Sequence, residues 1–200
     1  IKCSKQAHLK DGIALVKFFK WLGENYLKRK VTEFLAAKIL EDFRKENKDF
    51  FSPSFGTISA SGANASIIHY QPDQNSPAIK QDNLYLCDSG GQYYGGTTDV
   101  TRTIFLGKKK PSNIIKELYT KVLIGHINIA TLKFPIGTMG FQIDSLARYN
   151  LWNCGLDYNH GTGHGVGSFL GVHEGPQSIS KNINNTVFEP GMILSNEPGY

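Results

Sequence analysis

The sequence predicts an α+β fold. Helical patterns arrive in pairs, at the start of the chain and again in its third quarter, and the runs between them are short, rich in β-formers and broken by glycine and proline. Two of those runs, Leu84 to Asp88 and Asp99 to Leu106, are joined by a glycine-interrupted connection, which predicts an antiparallel hairpin. Paired helices and hairpins together argue against the regular strand–helix alternation of a doubly wound sheet, and no short internal period suggests a solenoid.

Taken in order, Gln6 to Asn25 reads as an amphipathic helix, with Leu9, Ile13, Val16, Phe19 and Leu22 as its inward stripe. Thr32 is placed to cap a second helix whose stripe is Leu35, Ile39, Leu40 and Phe43, with Ala36 and Ala37 permitting close approach. Ile67 to Tyr70 reads as a strand end and Gln71 to Asp82 as a loop. Pro111 and Ser112 open a third helix that runs through Ile115, Leu118 and Val122 to Ile129. Asp144 to Asn153 forms a fourth, with Leu146, Tyr149 and Leu151 or Trp152 inward and Gly155 just past its end. Val187 to Ser195 reads as a turn feeding a strand.

Composition narrows the function. The chain has 200 residues, enough for one domain with a core, and its net charge is +5 from 22 Lys plus Arg against 17 Asp plus Glu. That excess is scattered, without the dense basic stripe and aromatic partners of a nucleic-acid surface, so no nucleic-acid partner is expected. Three cysteines, Cys3, Cys87 and Cys154, lie far apart with no Cys-x-x-Cys spacing, which points to a reducing compartment and argues against both a disulfide framework and a thiolate zinc site. No apolar run approaches the roughly 20 residues needed to span a bilayer, so no membrane partner is expected. The first residue is not Met and the last follows a Pro-Gly turn, so both ends are expected to be cuts in a longer polypeptide.

The chemistry-bearing residues make sense as a set. Asp88 and Asp99 stand at the inner ends of the two hairpin arms, where two carboxylates can converge. The run His160-Gly161-Thr162-Gly163-His164-Gly165 has glycine at every second position, so its histidines are not a helical pair. It lacks the glutamate of a His-Glu-x-x-His protease motif and the Lys-Ser or Lys-Thr ending of a phosphate loop. What remains is a tight backbone expected to let substrate and ions approach closely, with imidazoles projecting from it. Glu197 is held before Pro198-Gly199, which fixes the chain direction after it. Carboxylates with one softer nitrogen suit a pair of divalent ions. His69, His173 and Glu174 gain interest only beside such a site, which needs a proton donor and a hydrogen-bond donor.

Six ordered blocks carry a resemblance: Ile67-Ile68-His69-Tyr70, Asp88 to Tyr93, Gly96 to Thr103, His160 to Gly167, Val172 to Pro176, and Ser195 to Tyr200. Together they resemble the catalytic domain of the aminopeptidase P (Xaa-Pro aminopeptidase) family, of the large eukaryotic cytosolic type, over nearly the whole chain. The resemblance implies a pita-bread fold, a curved and mostly antiparallel sheet backed by helices, with residues 1–200 an incomplete C-terminal catalytic domain. It implies two divalent metal ions, manganese by family habit, held by Asp88, Asp99, His164 and Glu197. Asp99 would bridge the ions and Glu197 would also shuttle a proton. By the same resemblance, His69 lies near the scissile carbonyl, His160 lines the pocket for proline, and His173 assists proton transfer and stabilises the intermediate. A further bridging glutamate is expected shortly after Tyr200, so the 200 residues alone are expected to be inactive. The implied activity is removal of the first residue from peptides with proline second, by a cytoplasmic homodimer. The alternatives are an X-Pro dipeptidase, a methionine aminopeptidase, a metal-free creatinase, or a non-catalytic peptide-binding module.

Overall fold

Four α-helices and eight short strands are the regular elements of the computed structural model, which describes residues 1–200. They fall into two units: Ile1–Pro111 with Ser168–Val172, and Ser112–Gly167 with His173–Tyr200.

The first unit starts with α1 (Lys2–Asn25) and α2 (Glu33–Lys45). Thr32 caps α2, its hydroxyl accepting from the Leu35 N–H at 3.1 Å. Glu33 in the first turn and Arg44 and Lys45 in the last complement the helix dipole. The strands form two antiparallel sheets, β2 (Ile58–Ser61), β3 (Asn83–Ser89) and β6 (Val100–Leu106) in the order β2-β3-β6, and β1 (Phe50–Pro53), β4 (Gly91–Tyr93) and β5 (Gly96–Thr97) in the order β1-β4-β5. The expected hairpin is therefore the β3–β6 pair, and its connection folds into two strands of the other sheet. Phe18, Leu22, Val31, Ala36, Leu40 and Tyr85, all fully buried, form the core between helices and sheet.

The inward face of α1 follows the expected stripe only at its C-terminal end, where Leu22 is buried and Phe19 packs against the core. Leu9, Ile13 and Val16 are 60%, 53% and 72% exposed, while Ala7, Asp11, Ala14, Phe18 and Leu22 are buried. Two constraints override hydrophobicity there. The small Ala7 admits the β5 backbone, and Asp11 must face Arg44, whose Nε and Nη2 donate to it at 2.6 and 3.1 Å. Tyr93 donates to the same carboxylate at 2.9 Å. Burial alone would lower the Arg44 pKa, but the Asp11 hydrogen bond and charge raise it above its usual value. Residues 67–70 are also not a strand end: after a 3-10 turn (Gly62–Ser66), Ile67 and Ile68 lie exposed and His69 adopts a left-handed φ of 57°.

In the second unit α3 (Asn113–Thr131), capped by Ser112, packs on α4 (Gly140–Trp152), and β7 (Gly163–His164) pairs antiparallel with β8 (Ser178–Ile179). The α4 face also departs from expectation. Leu146, Tyr149 and Trp152 are exposed, and Ile143, Asp144, Ala147, Arg148 and Leu151 are buried, because Arg148 and Asp144 are drawn inward by backbone groups described below. Val187 and Leu194 each make one isolated bridge, to Met139 and Gly165, in place of the expected strand.

Replacing Arg44 with Met leaves Asp11 buried without its cation, and the protein should lose about 3–5 kcal/mol. Urea denaturation measures this, and a loss below about 1 kcal/mol would mean that the pair is dispensable. A second expectation concerns Asp157. Its burial acts to raise the pKa, but the Lys181 and Arg148 hydrogen bonds outweigh it and hold the carboxyl well below its ordinary 3.8. A depressed folded pKa stabilises the protein above the unfolded value and the benefit disappears as pH falls through the folded one. The wild type should therefore melt above Asp157→Asn at pH 7, with the gap closing steadily below about pH 4; a gap constant down to pH 2 would contradict this.

Candidate metal centre

In the first unit, antiparallel pairing puts Asp88 opposite Thr101 and Ser89 opposite Val100, so Asp88 and Asp99 occupy neighbouring positions at one end of the β3–β6 ladder. Both are partly buried. The strand end is anchored from below, since Arg44 donates to Ser89 Oγ at 3.0 Å. His69 belongs to the same unit, on its exposed left-handed turn.

In the second unit, glycines decide the backbone. A Cβ at Gly163 would lie 2.2 Å from the Ser195 carbonyl oxygen, and one at Gly165 would lie 1.9 Å from that of Glu174. The space that glycine opens at these two positions is thus filled by the chain's own backbone. Segment 162–165 is bonded on both edges: Thr162 N–H to Ile179 O at 2.8 Å and Gly165 N–H to Gln177 O at 3.0 Å on one side, and Ser195 N–H to His164 O at 2.8 Å and Glu197 N–H to Thr162 O at 2.7 Å on the other.

This register brings His164 and Glu197 together, with Nε2 2.8 Å from Oε1. His164 Nδ1 lies 2.8 Å from the Gly165 carbonyl, which can only accept, so Nδ1 carries a proton and Nε2 is the ring nitrogen turned to the carboxylate, donating to it when protonated. A cation can take the place of the proton between this imidazole nitrogen and this carboxylate oxygen, and nitrogen and oxygen ligands of this kind fit a divalent metal. Ser195 supports both ligands. Its hydroxyl accepts from the His164 N–H at 2.9 Å and donates to Glu197 Oε1 at 2.5 Å. Burial raises the Glu197 pKa, but the His164 and Ser195 hydrogen bonds prevail and hold it below the usual carboxylate value, as an anionic ligand requires.

The exposed His173 ring meets His164 edge-on at 4.3 Å. His160 packs against Tyr158 with ring centroids 4.7 Å apart, and its Nδ1 lies 2.7 Å from the Gly161 carbonyl. The segment around Glu197 is tied to α3 by a reciprocal pair, Asn196 Nδ2 to the His126 carbonyl at 2.9 Å and His126 Nδ1 to the Asn196 carbonyl at 3.0 Å. Sequence reasoning did not single out Ser195, although its spacing of two from Glu197 was the available signal. Asp144 and Arg148 were also missed as site residues, because an i,i+4 ion pair on a helix ordinarily lies in water.

The metallopeptidase family M24 model matches residues 2–200, and the chain belongs to that family. It is similar to Xaa-Pro aminopeptidase 1 of Dictyostelium discoideum, 49% identical over 206 residues, covering 100% of this chain and 32% of that relative. Among solved structures it superposes on the X-prolyl aminopeptidase of Caenorhabditis elegans with a TM-score of 0.92 at 40% identity, over 98% of this chain and 32% of the other. That protein is described as a cytosolic enzyme with a di-nuclear active site. The Xaa-Pro dipeptidase of Bacillus anthracis gives 0.84 at 30% identity, over 99% of this chain and 52% of the other. The α+β pita-bread expectation agrees with these likenesses. The chain spans about a third of the length of the curated relatives it matches. No helix is long and apolar enough to cross a membrane.

Proposed function

We propose that the polypeptide carrying this chain is a cytoplasmic Xaa-Pro aminopeptidase, which hydrolyses the first peptide bond of substrates with proline second. The observation that carries this reading is the His164–Glu197 pair, fixed by Ser195 and by the Gly165 carbonyl, in a chain of family M24. Asp88, Asp99, His164 and Glu197 would hold two divalent ions, manganese by the family resemblance. Bound there, the ions supply an activated water and polarise the scissile carbonyl.

The protein's own groups do the rest. Glu197 accepts the proton of the attacking water and carries it toward the proline nitrogen. His173, beside His164, donates to the oxygen that becomes negative as the carbonyl is attacked. His69 orients the substrate at the same carbonyl, and His160, on its aromatic support, lines the proline side. Likeness to the dipeptidase keeps X-Pro dipeptide hydrolysis as the second reading. Association as a homodimer is part of the proposal. Phe51, Tyr94 and Phe169 form an exposed aromatic cluster suited to it, with centroids 5.5 to 6.2 Å apart, whereas Phe50 and Phe55 are half-buried.

Incubated with manganese, the complete protein should release the first residue from an X-Pro tripeptide and leave the X-Ala counterpart intact. Cleavage confined to X-Pro dipeptides would favour the second reading, and equal cleavage of the alanine peptide would contradict both. Ser195→Ala should weaken divalent-metal affinity about 10–100-fold by titration calorimetry, because it removes a support common to both ligands. Unchanged affinity would detach Ser195 from the metal site.

A further inference from the structure

The α4 pair Asp144–Arg148 is nearly inaccessible, at 2% and 1% exposure, and takes no part in the chemistry above. An exposed pair at this spacing would contribute a few tenths of a kcal/mol, and burying one is unfavourable unless every donor is satisfied. Here every donor is. The five N–H groups of Arg148 go to Asp144 from Nε at 2.7 Å and Nη2 at 3.3 Å, to Asp157 Oδ1 at 2.9 Å and the Tyr158 carbonyl at 2.5 Å from Nη1, and to the His160 carbonyl at 2.9 Å from Nη2.

Two of those acceptors are main-chain carbonyls of the segment that carries His160. Asp144 takes a third hold on it, accepting from Thr162 Oγ1 at 2.6 Å, and Tyr158 OH meets the same hydroxyl at 2.6 Å. The Tyr158 ring is itself pinned, with the Arg148 guanidinium carbon 3.8 Å from its centroid, and it is the surface on which the His160 imidazole rests. Backbone position and ring position of His160 therefore both trace to one guanidinium. A lysine could keep the charge beside Asp144, but its three-proton head cannot serve two carbonyls and two carboxylates at once or lie flat against a ring.

We propose that Arg148, acting with Asp144 through Tyr158, is a positioning residue that places His160 and so determines how firmly the second residue of the substrate is held. The proposal rests on the Xaa-Pro aminopeptidase reading.

The test uses the complete protein and an X-Pro tripeptide. Arg148→Lys should raise KM about tenfold with kcat changed by less than about twofold, the pattern of a lost binding contact. His160→Ala should show the same split, and the double variant should be no worse than His160→Ala, since both changes remove one function. If Arg148→Lys does not fold, Tyr158→Leu, which removes the supporting ring, should give the same KM effect and the same lack of additivity. A wild-type KM, a fall in kcat that tracks a fall in melting temperature, or additive losses with His160→Ala would each overturn the proposal. Imidazole C–H resonances, with that of His160 identified by its loss in His160→Ala, give a readout independent of activity. The His160 signal should shift in Arg148→Lys while that of His8 stays in place, and an unmoved signal would overturn the positioning role. Failure of the wild type on X-Pro peptides would defeat the functional reading alone, and the resonance shift would still decide on Arg148.

Discussion

The two-sided bonding of segment 162–165 is the constraint on which the second unit depends. Its neighbours on either edge, residues 177–179 and 195–197, are held by backbone hydrogen bonds of 2.7 to 3.0 Å, and glycine at 163 is what lets the Ser195 backbone approach, as glycine at 165 does for that of Glu174. With the register set, side-chain geometry follows. His164 and Glu197 come from adjacent segments and can only meet if the Ser195 N–H reaches the His164 carbonyl and the Glu197 N–H reaches that of Thr162. A slip of one residue would turn each imidazole and carboxylate to the opposite side.

Each unit also contains a buried arginine–aspartate pair whose remaining donors reach the functional segment. Arg44, paired with Asp11, bonds Ser89, the residue after Asp88. Arg148, paired with Asp144, bonds the carbonyl of His160. Buried ion pairs contribute little net stability compared with apolar packing of the same volume. Their use here is geometric: a planar, always-charged fork fixes direction in a way that leucine or methionine in the same volume cannot.

Those pairs also mark where the sequence was hardest to read. Thr32 as a helix cap, the start of α3 beside Pro111 and Ser112, the β3–β6 pairing and Gly155 beyond α4 were legible, because caps, alternation and glycine punctuation are local signals. The inward faces of α1 and α4 were legible only in part, at Phe19, Leu22 and Leu151. Hydrophobic periodicity places Leu9, Ile13 and Val16 inside, whereas long-range partners bring Asp11 and Arg148 inside instead. The spacing of His160, His164 and Glu197 marked them as a functional set, and His164 and Glu197 do meet. Of the supports around them, Ser195 and Thr162 act through bonds to His164 and Asp144, distant in the chain, and Tyr158 through Arg148 and Thr162, and single residues of those types carry no signal of their own.

The proposed chemistry depends on which residues gather the metal. Anomalous diffraction from crystals of the complete protein grown with manganese tests this most directly. Two ordered peaks are expected, ligated by Asp88, Asp99, His164 and Glu197, with Ser195 still bonded to the glutamate. Peaks confined to surface carboxylates, or a peak that leaves His164 and Glu197 paired only with each other, would contradict it.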